Sequence, residues 1–278
     1  MIRRIAILDV ETGGLDPAKD PCIEVAVIVY DIVAAASVSS FSSLIRAYGN
    51  EAFNVNRIPV ELLVEAPLAE IVWRRVAAIV EQTDVFVAHR ASFDSSFTPE
   101  PLRSSRPWVC SKFEIDLPDS KPGDGLVHAA LAHGVAIATA HRAMADCETV
   151  SRLLTRVSER KNLQELFERA MRPRKLFVSF APFDQKDAVK QAGFSWDDPI
   201  VGQWSRSMPP EDVAALPFRA VEWERCKLFV SLAPFEMKDT VKRYDFTWND
   251  LAPKQWAKLM PPEDAATFPF RVVEWVPR

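Results

Sequence analysis

The chain has 278 residues, of which 48% are hydrophobic and 26% charged, and its formal net charge is −4. That length suggests about two domains with ample core material. The charge excludes a protein coated in basic patches, so any nucleic-acid contact must be local. Cys22, Cys110, Cys147 and Cys226 lie far apart with no Cys-x-x-Cys pair. That spacing excludes a zinc framework or a disulfide scaffold and makes a reducing cytoplasm the expected location.

The stretch Ile5 to Gly14 reads Ile-Ala-Ile-Leu-Asp-Val-Glu-Thr-Gly-Gly. Its β-branched apolar run predicts a buried strand, too short for a signal peptide or a membrane span. Residues i and i+2 of a strand share a face, so Asp9 and Glu11 project side by side from its end. Two adjacent carboxylates are costly unless a cation neutralises them, and hard oxygen ligands suit Mg²⁺ or Mn²⁺. Taken alone, the pair reads first as an acidic strand end entering a Gly-Gly turn, since Asp-x-Glu occurs often by chance, and the rest of the chain must decide.

Cys22 to Tyr30 and Val38 to Arg46 are predicted strands that complete a three-stranded meander. Pro59 to Ala66 and Leu68 to Glu81 are predicted helices, the second from the helical spacing of Ile71, Val72, Val76, Ile79 and Val80. Asp84 to Ala88 is a short buried strand ending at His89, followed by a helix from about Ser92 to Phe97. Helices are expected at Val127 to His133, Ala143 to Val157 and Leu163 to Ala170, the last capped by Asn162. His128 and His133 fall on the first of these and are expected to be structural or surface residues. Mixed strands and helices make the class α/β with a mixed sheet.

Arg172 to Arg174 breaks the pattern and is expected to link residues 1–171 to a tandem repeat. Lys175 to Ser179 returns as Lys227 to Ser231, an offset of 52 residues, and the offset holds without a gap to the end. Trp196, Trp204 and Trp223 match Trp248, Trp256 and Trp275. More than half the aligned positions are identical, so residues 175–226 and 227–278 are duplicated small α+β modules. Their tryptophans are read in two ways: as platforms for single-stranded nucleic acid, or as the large aromatic core that a small module needs, the reading favoured for most of them. Lys186, Lys190, Lys238 and Lys242 on the module helices would supply a basic face. Substrate placement, docking of a protein partner and homodimerisation are the expected jobs.

Two further signals follow Asp9 and Glu11. One is His89-Arg90-Ala91-Ser92-Phe93-Asp94 after a strand; the other is His141-Arg142-Ala143-Met144-Ala145-Asp146 at a helix start. Strand-to-helix junctions can bring Asp94 and Asp146 to the first pair, and four convergent carboxylates are untenable without divalent cations. Two ions about 3.5–4 Å apart would form a clamp for in-line phosphoryl displacement. His141, five residues before Asp146, has the side chain suited to accept a proton from water near neutral pH.

At these residues the chain resembles the DEDDh (DnaQ-like) 3′–5′ exonuclease superfamily, which includes the proofreading ε subunit of replicases, exonuclease X and ribonuclease T. The resemblance rests on Asp9-x-Glu11-Thr12-Gly13, His89-x-Ala91-x-Phe93-Asp94 and His141-Arg142-Ala143-x-x-Asp146, in that order, and covers about residues 1–171. It implies a ribonuclease-H-like fold and release of nucleoside monophosphates from a 3′ end, on single-stranded DNA or alternatively RNA. It also implies two Mg²⁺ or Mn²⁺ ions on Asp9, Glu11, Asp94 and Asp146, with His141 as base. Thr12 and Gly13 would hold the terminal nucleotide. Leu15 and Phe93 would wedge against the last bases or else pack in the core, and His89 would buttress the site. Arg90 departs from the family's usual Asn and is either a phosphate contact or a surface residue. A catalytically weak binding or scaffold protein is the remaining alternative, which the presence of all four carboxylates and His141 disfavours.

Overall fold

The apolar run that begins the chain becomes the central strand of a five-stranded sheet in the computed structural model of the protein, which describes residues 1–137, 139, 141–196, 200, 202–249 and 255–275. Two compact units are present, Met1–Arg172 and Pro173–Arg278.

In the first unit, β1 (Arg4–Thr12), β2 (Cys22–Asp31) and β3 (Ala36–Leu44) form an antiparallel meander. β4 (Val85–Ala88) and β5 (Trp108–Cys110) add parallel to β1, giving the order β3-β2-β1-β4-β5. Helices α1 (Phe53–Asn56), α2 (Val60–Val64), α3 (Ala69–Val80), α4 (Ala91–Phe97), α5 (Leu126–Ala132), α6 (Ala143–Ser158) and α7 (Leu163–Ala170) complete the unit. Strand alternation divides the core. Ile5, Ile7, Ala26, Ile28, Val85 and Val87 pack against Val150, Leu153, Leu154 and Phe167 of α6 and α7. Ala6, Leu8, Val10, Val25, Val27 and Phe86 pack against Val72, Val76 and Val80 of α3. Each fully buried Val, Leu, Ile or Phe among them stabilises by roughly 1.5–3 kcal/mol. The result is a mixed sheet flanked by helices, of the ribonuclease-H-like kind.

The expected elements are present, with small shifts at their ends. The expected helix over Pro59–Ala66 runs from Val60 to Val64, and Asn162 does cap α7 by accepting from the Gln164 N–H at 2.9 Å. β3 stops at Leu44, short of the expected Arg46, because the chain turns away and Arg46 N–H donates to Pro67. β5 and α1 are three and four residues long, too short for periodicity to reveal them.

The second unit contains two sheets of identical order, β7-β8-β6-β9 and β11-β12-β10-β13. The first comprises β6 (Lys175–Ser179), β7 (Ser195–Trp196), β8 (Trp204–Met208) and β9 (Ala220–Glu222), with helix α8 (Lys186–Gln191). The second comprises β10 (Lys227–Ser231), β11 (Thr247–Asn249), β12 (Gln255–Met260) and β13 (Val272–Glu274), with α9 (Lys238–Arg243). The modules' cores centre on Phe177, Val189, Phe194 and Met208, and on Phe229, Val241, Phe246, Met260 and Phe270. A bidentate pair between Arg219 and Asp264, at 2.7 and 2.9 Å, joins one module to the other. No helix among the described residues is long and apolar enough to cross a membrane.

Candidate active site

Alternation along β1 points Ile5, Ile7, Asp9 and Glu11 to the face that α6 covers, while Val10 and Thr12 are buried on the other side. α6 starts at Ala143, after His141 in the left-handed region (φ 61°) and Arg142 in extended conformation. Its first turn therefore lays Asp146 over the end of β1. Carboxylate oxygens of Asp9, Glu11 and Asp146 lie within 4.8 Å of one another. Asp94, in the first turn of α4, is buried beside them and accepts the Val10 N–H at 3.2 Å.

The electrostatics of this cluster are those of crowded acids. Burial, then the charges of Asp94, Asp146 and Glu11, push Asp9 well above the usual carboxylate range. Burial, with Asp146 and Glu24 nearby, raises Glu11 to about 8, against a partial pull from Arg142. Burial raises Asp94 to about 7, opposed by the Val10 hydrogen bond. Asp146 is raised by burial, with the charge and backbone N–H of His141 pulling the other way. Converging hard oxygen donors that resist ionisation fit a divalent cation, whose charge would restore the ionised forms. His141 itself is exposed at the mouth of the helix.

The remaining predicted site residues divide. Thr12 is buried and its hydroxyl donates to Gly14 O at 2.6 Å. Gly13 is expected to let a ligand approach, yet an added Cβ would meet the Pro21 ring at 3.2 Å, and at Gly14 it would meet the Asp20 carboxylate at 2.2 Å. Side chains of their own loop thus pack closely around both glycines. Leu15 is 81% exposed, not a core residue. Phe93 is half-buried against Phe97, ring centroids 4.9 Å apart, with the exposed Arg90 guanidinium 5.9 Å from its centroid. His89 has both ring nitrogens engaged, with Ser111 Oγ and Asp124 O at 3.1 Å each, and burial lowers it to about 4. Neutral and doubly bonded, it braces the loops around the site. His128 is exposed near Asp124, and His133 bonds Ala129 O at 2.8 Å.

Sequence reasoning missed the Glu24–Arg142 pair. Glu24 is buried on β2 directly opposite Glu11, and it accepts Arg142 Nη2 at 2.8 Å, Arg142 Nε at 3.0 Å and the Ala143 N–H at 3.1 Å. These bonds tie the N-terminus of α6 to the sheet next to the acidic cluster. The available signal was a charged residue inside the otherwise apolar run Ile23 to Tyr30. Asn56 was also missed: buried, it donates to Thr12 O at 3.2 Å and accepts the Ile58 N–H at 3.0 Å, holding the end of β1.

Comparison with known proteins decides what this geometry belongs to. Residues 6–154, more than half the chain, match the family described as exonuclease, of the ribonuclease T kind. The chain belongs to this exonuclease family. Residues 176–222 of the exonuclease match a family described only as a domain of unknown function. No curated protein matches the sequence. Among solved structures, the zinc-bound complex of E. coli exonuclease I with single-stranded DNA is 16% identical with a TM-score of 0.52, covering 96% of this chain and 67% of that one. The nuclease domain of 3′hExo, a DEDDh member bound to rAMP, is 14% identical with a TM-score of 0.50, over 58% of this chain and 94% of that one. Exonuclease X in complex with 5′-overhanging duplex DNA is 23% identical with a TM-score of 0.45, over 59% of this chain and 98% of that one. The enzyme is therefore an exonuclease, a phosphodiester hydrolase acting on nucleic acid.

Proposed function

We propose that the exonuclease removes nucleoside monophosphates from the 3′ ends of single-stranded DNA, using two divalent ions, Mg²⁺ or Mn²⁺. The observation that carries this reading is the convergence of Asp9, Glu11 and Asp146, with buried Asp94 beside them. Asp9 would bridge the two ions, and Glu11, Asp94 and Asp146 would complete their shells. Bound there, the ions supply Lewis-acid stabilisation of the phosphoryl oxygens and ease ionisation of water. His141 accepts the proton of the attacking water. The water oxygen bonds to phosphorus and the bond to the 3′ oxygen breaks, leaving a shortened strand with a 3′ hydroxyl and a free monophosphate. Exposed Leu15 and half-buried Phe93 contact the last bases, the backbone at Thr12 and Gly13 holds the terminal nucleotide, and His89 positions the surrounding loops. Exposed Arg90, its guanidinium 5.9 Å from the Phe93 ring centroid, is either a contact for a substrate phosphate or a surface residue.

DNA is preferred here because two neighbours that span nearly the whole chain are exonuclease I complexes, one with single-stranded DNA and one with a dT13 oligonucleotide. RNA trimming is the competing reading, since 3′hExo holds rAMP. Purified protein offered matched DNA and RNA oligonucleotides should shorten the DNA faster, and only with divalent metal. A faster RNA rate would reverse the assignment, and activity persisting in Asp9→Ala or Asp146→Ala would sink the roles given to those carboxylates. If His141 is the base, the rate at saturating metal falls in acid, because imidazolium cannot accept a proton. Calorimetric titration with Mg²⁺ that released no heat would favour a non-catalytic scaffold. The four free thiols suit a reducing compartment, and the cytoplasm is the proposed location. The repeats are assigned to substrate placement or to docking a protein partner or a second copy.

A further inference from the structure

Two of the six repeat tryptophans do not serve a core. Trp196 is 51% exposed and Trp248 is 57% exposed, although each module core is built from other residues. Each lies on the short strand of a hairpin, directly opposite a second tryptophan: Trp196 faces Trp204 and Trp248 faces Trp256. Both pairs meet edge-to-face with centroids 5.5 Å apart. The second indole therefore holds the first at a fixed tilt. A lysine completes each group, with Lys190 Nζ 5.7 Å from the Trp204 centroid and Lys242 Nζ 5.4 Å from that of Trp256. Both lysines are exposed.

The two copies have diverged on the same helices. Ala188, Gln191 and Ala192 stand where the second copy has Thr240, Arg243 and Tyr244. The tryptophan pair and its lysine are the same in both, in the same geometry. A solvent-facing indole leaves apolar area in water that burial would have removed, so its repetition asks for a ligand with a flat face.

We propose that Trp196 and Trp248 are stacking platforms for unpaired bases of single-stranded nucleic acid, with Lys190 and Lys242 meeting the adjoining phosphates. An unpaired base offers a π face and a phosphate within one nucleotide, which matches an indole with an ammonium beside it. The choice of a nucleic acid over a proline-rich peptide, which also docks on aromatic surfaces, rests on the exonuclease reading given above. Residues 173–278 carry equal numbers of acidic and basic side chains. The platforms thus hold strands by stacking instead of a broad electrostatic funnel. Two phosphate contacts would give a log–log salt slope of roughly −1.4, at about −0.7 per phosphate on a single strand.

The test uses the full chain in chelator, so that binding is seen without digestion. Anisotropy of a labelled 30-nucleotide oligo(dT) should show affinity reduced by about tenfold or more in the Trp196→Ala/Trp248→Ala double variant, with most of it kept in the double Phe variant. Lys190→Gln/Lys242→Gln should flatten the salt slope. With metal restored, the Ala variant should cleave a tetranucleotide at the wild-type rate while its KM on the 30-mer rises. An unchanged 30-mer affinity in a variant with wild-type circular dichroism overturns the platforms. So does Trp-dependent binding of a polyproline peptide in place of the oligonucleotide. Failure of wild-type protein to cleave the tetranucleotide would instead strike the exonuclease reading, and the binding arm would still report on the platforms.

Discussion

Two groups of acids, one buried and one half-buried, sit side by side in the first unit and are treated in opposite ways. Glu24 on β2 and Glu11 on β1 are register partners. Glu24 has its own cation, the Arg142 fork at 2.8 and 3.0 Å, and a backbone N–H as well. Asp9, Glu11 and Asp146 converge within 4.8 Å, and no ion pair joins any of them to a cation among the described residues. A carboxylate compensated by the protein is a fastener. Carboxylates with no ion pair of their own are costly in the metal-free fold and are where an added cation would stabilise most.

Substitution should separate the two groups most strongly in activity. Asp9→Asn is expected to reduce the rate by about a thousandfold or more, because it removes the carboxylate proposed to hold both ions. The same change should raise the unfolding midpoint of chelated protein, since it removes a crowded carboxyl whose ionised form burial and its acidic neighbours disfavour. A lowered midpoint would mean that Asp9 is compensated within the fold. Breaking the other group should behave in reverse. Glu24→Gln leaves Arg142 without its carboxylate and should cost about 1–3 kcal/mol in denaturant unfolding. This is less than a fully buried pair, because the Arg142 side chain is 45% exposed. Its kcat should fall with little change in KM, as the His141 and Asp146 segment loses its anchor.

Proton linkage sharpens the same contrast. Glu11 at about 8 and Asp94 at about 7 are raised in the fold, so the native state holds more protons than the unfolded chain between roughly pH 4 and pH 8. Chelated protein should therefore lose stability as pH rises through that window, and saturating Mg²⁺ should reverse the trend. Thermal melts at several pH values, with and without metal, check this. The smallest effect belongs to His89, which is depressed to about 4. Its contribution is complete above about pH 6.5 and is lost as pH falls toward 4, because the unfolded chain takes up the proton first. The stability difference between wild type and His89→Gln should shrink by about 2 kcal/mol across that range.

Much of the site was legible because its signals are local. Alternation on β1 placed Asp9 and Glu11 on one face, and the strand-to-helix junction before Asp94 and the helix start before Asp146 followed from a short apolar run and a helix pattern; α6 follows α5 and a loop, not the expected strand before Asp146. Glu24 was passed over because its meaning depends on a partner 118 residues away in sequence. The surroundings of Gly14 were hidden for a similar reason, since what lies beside its missing Cβ is Asp20, brought there by a loop closure. β5 escaped because three residues carry no period.

By itself the sequence determined the strand and helix faces, the order of the acidic motifs and the duplication of the C-terminal module, because all three depend on spacing along the chain. Only the tertiary structure decided which acid is compensated and which tryptophan is exposed. Sheet register and helix packing bring distant residues together, and the charge or burial of a side chain is a property of those neighbours.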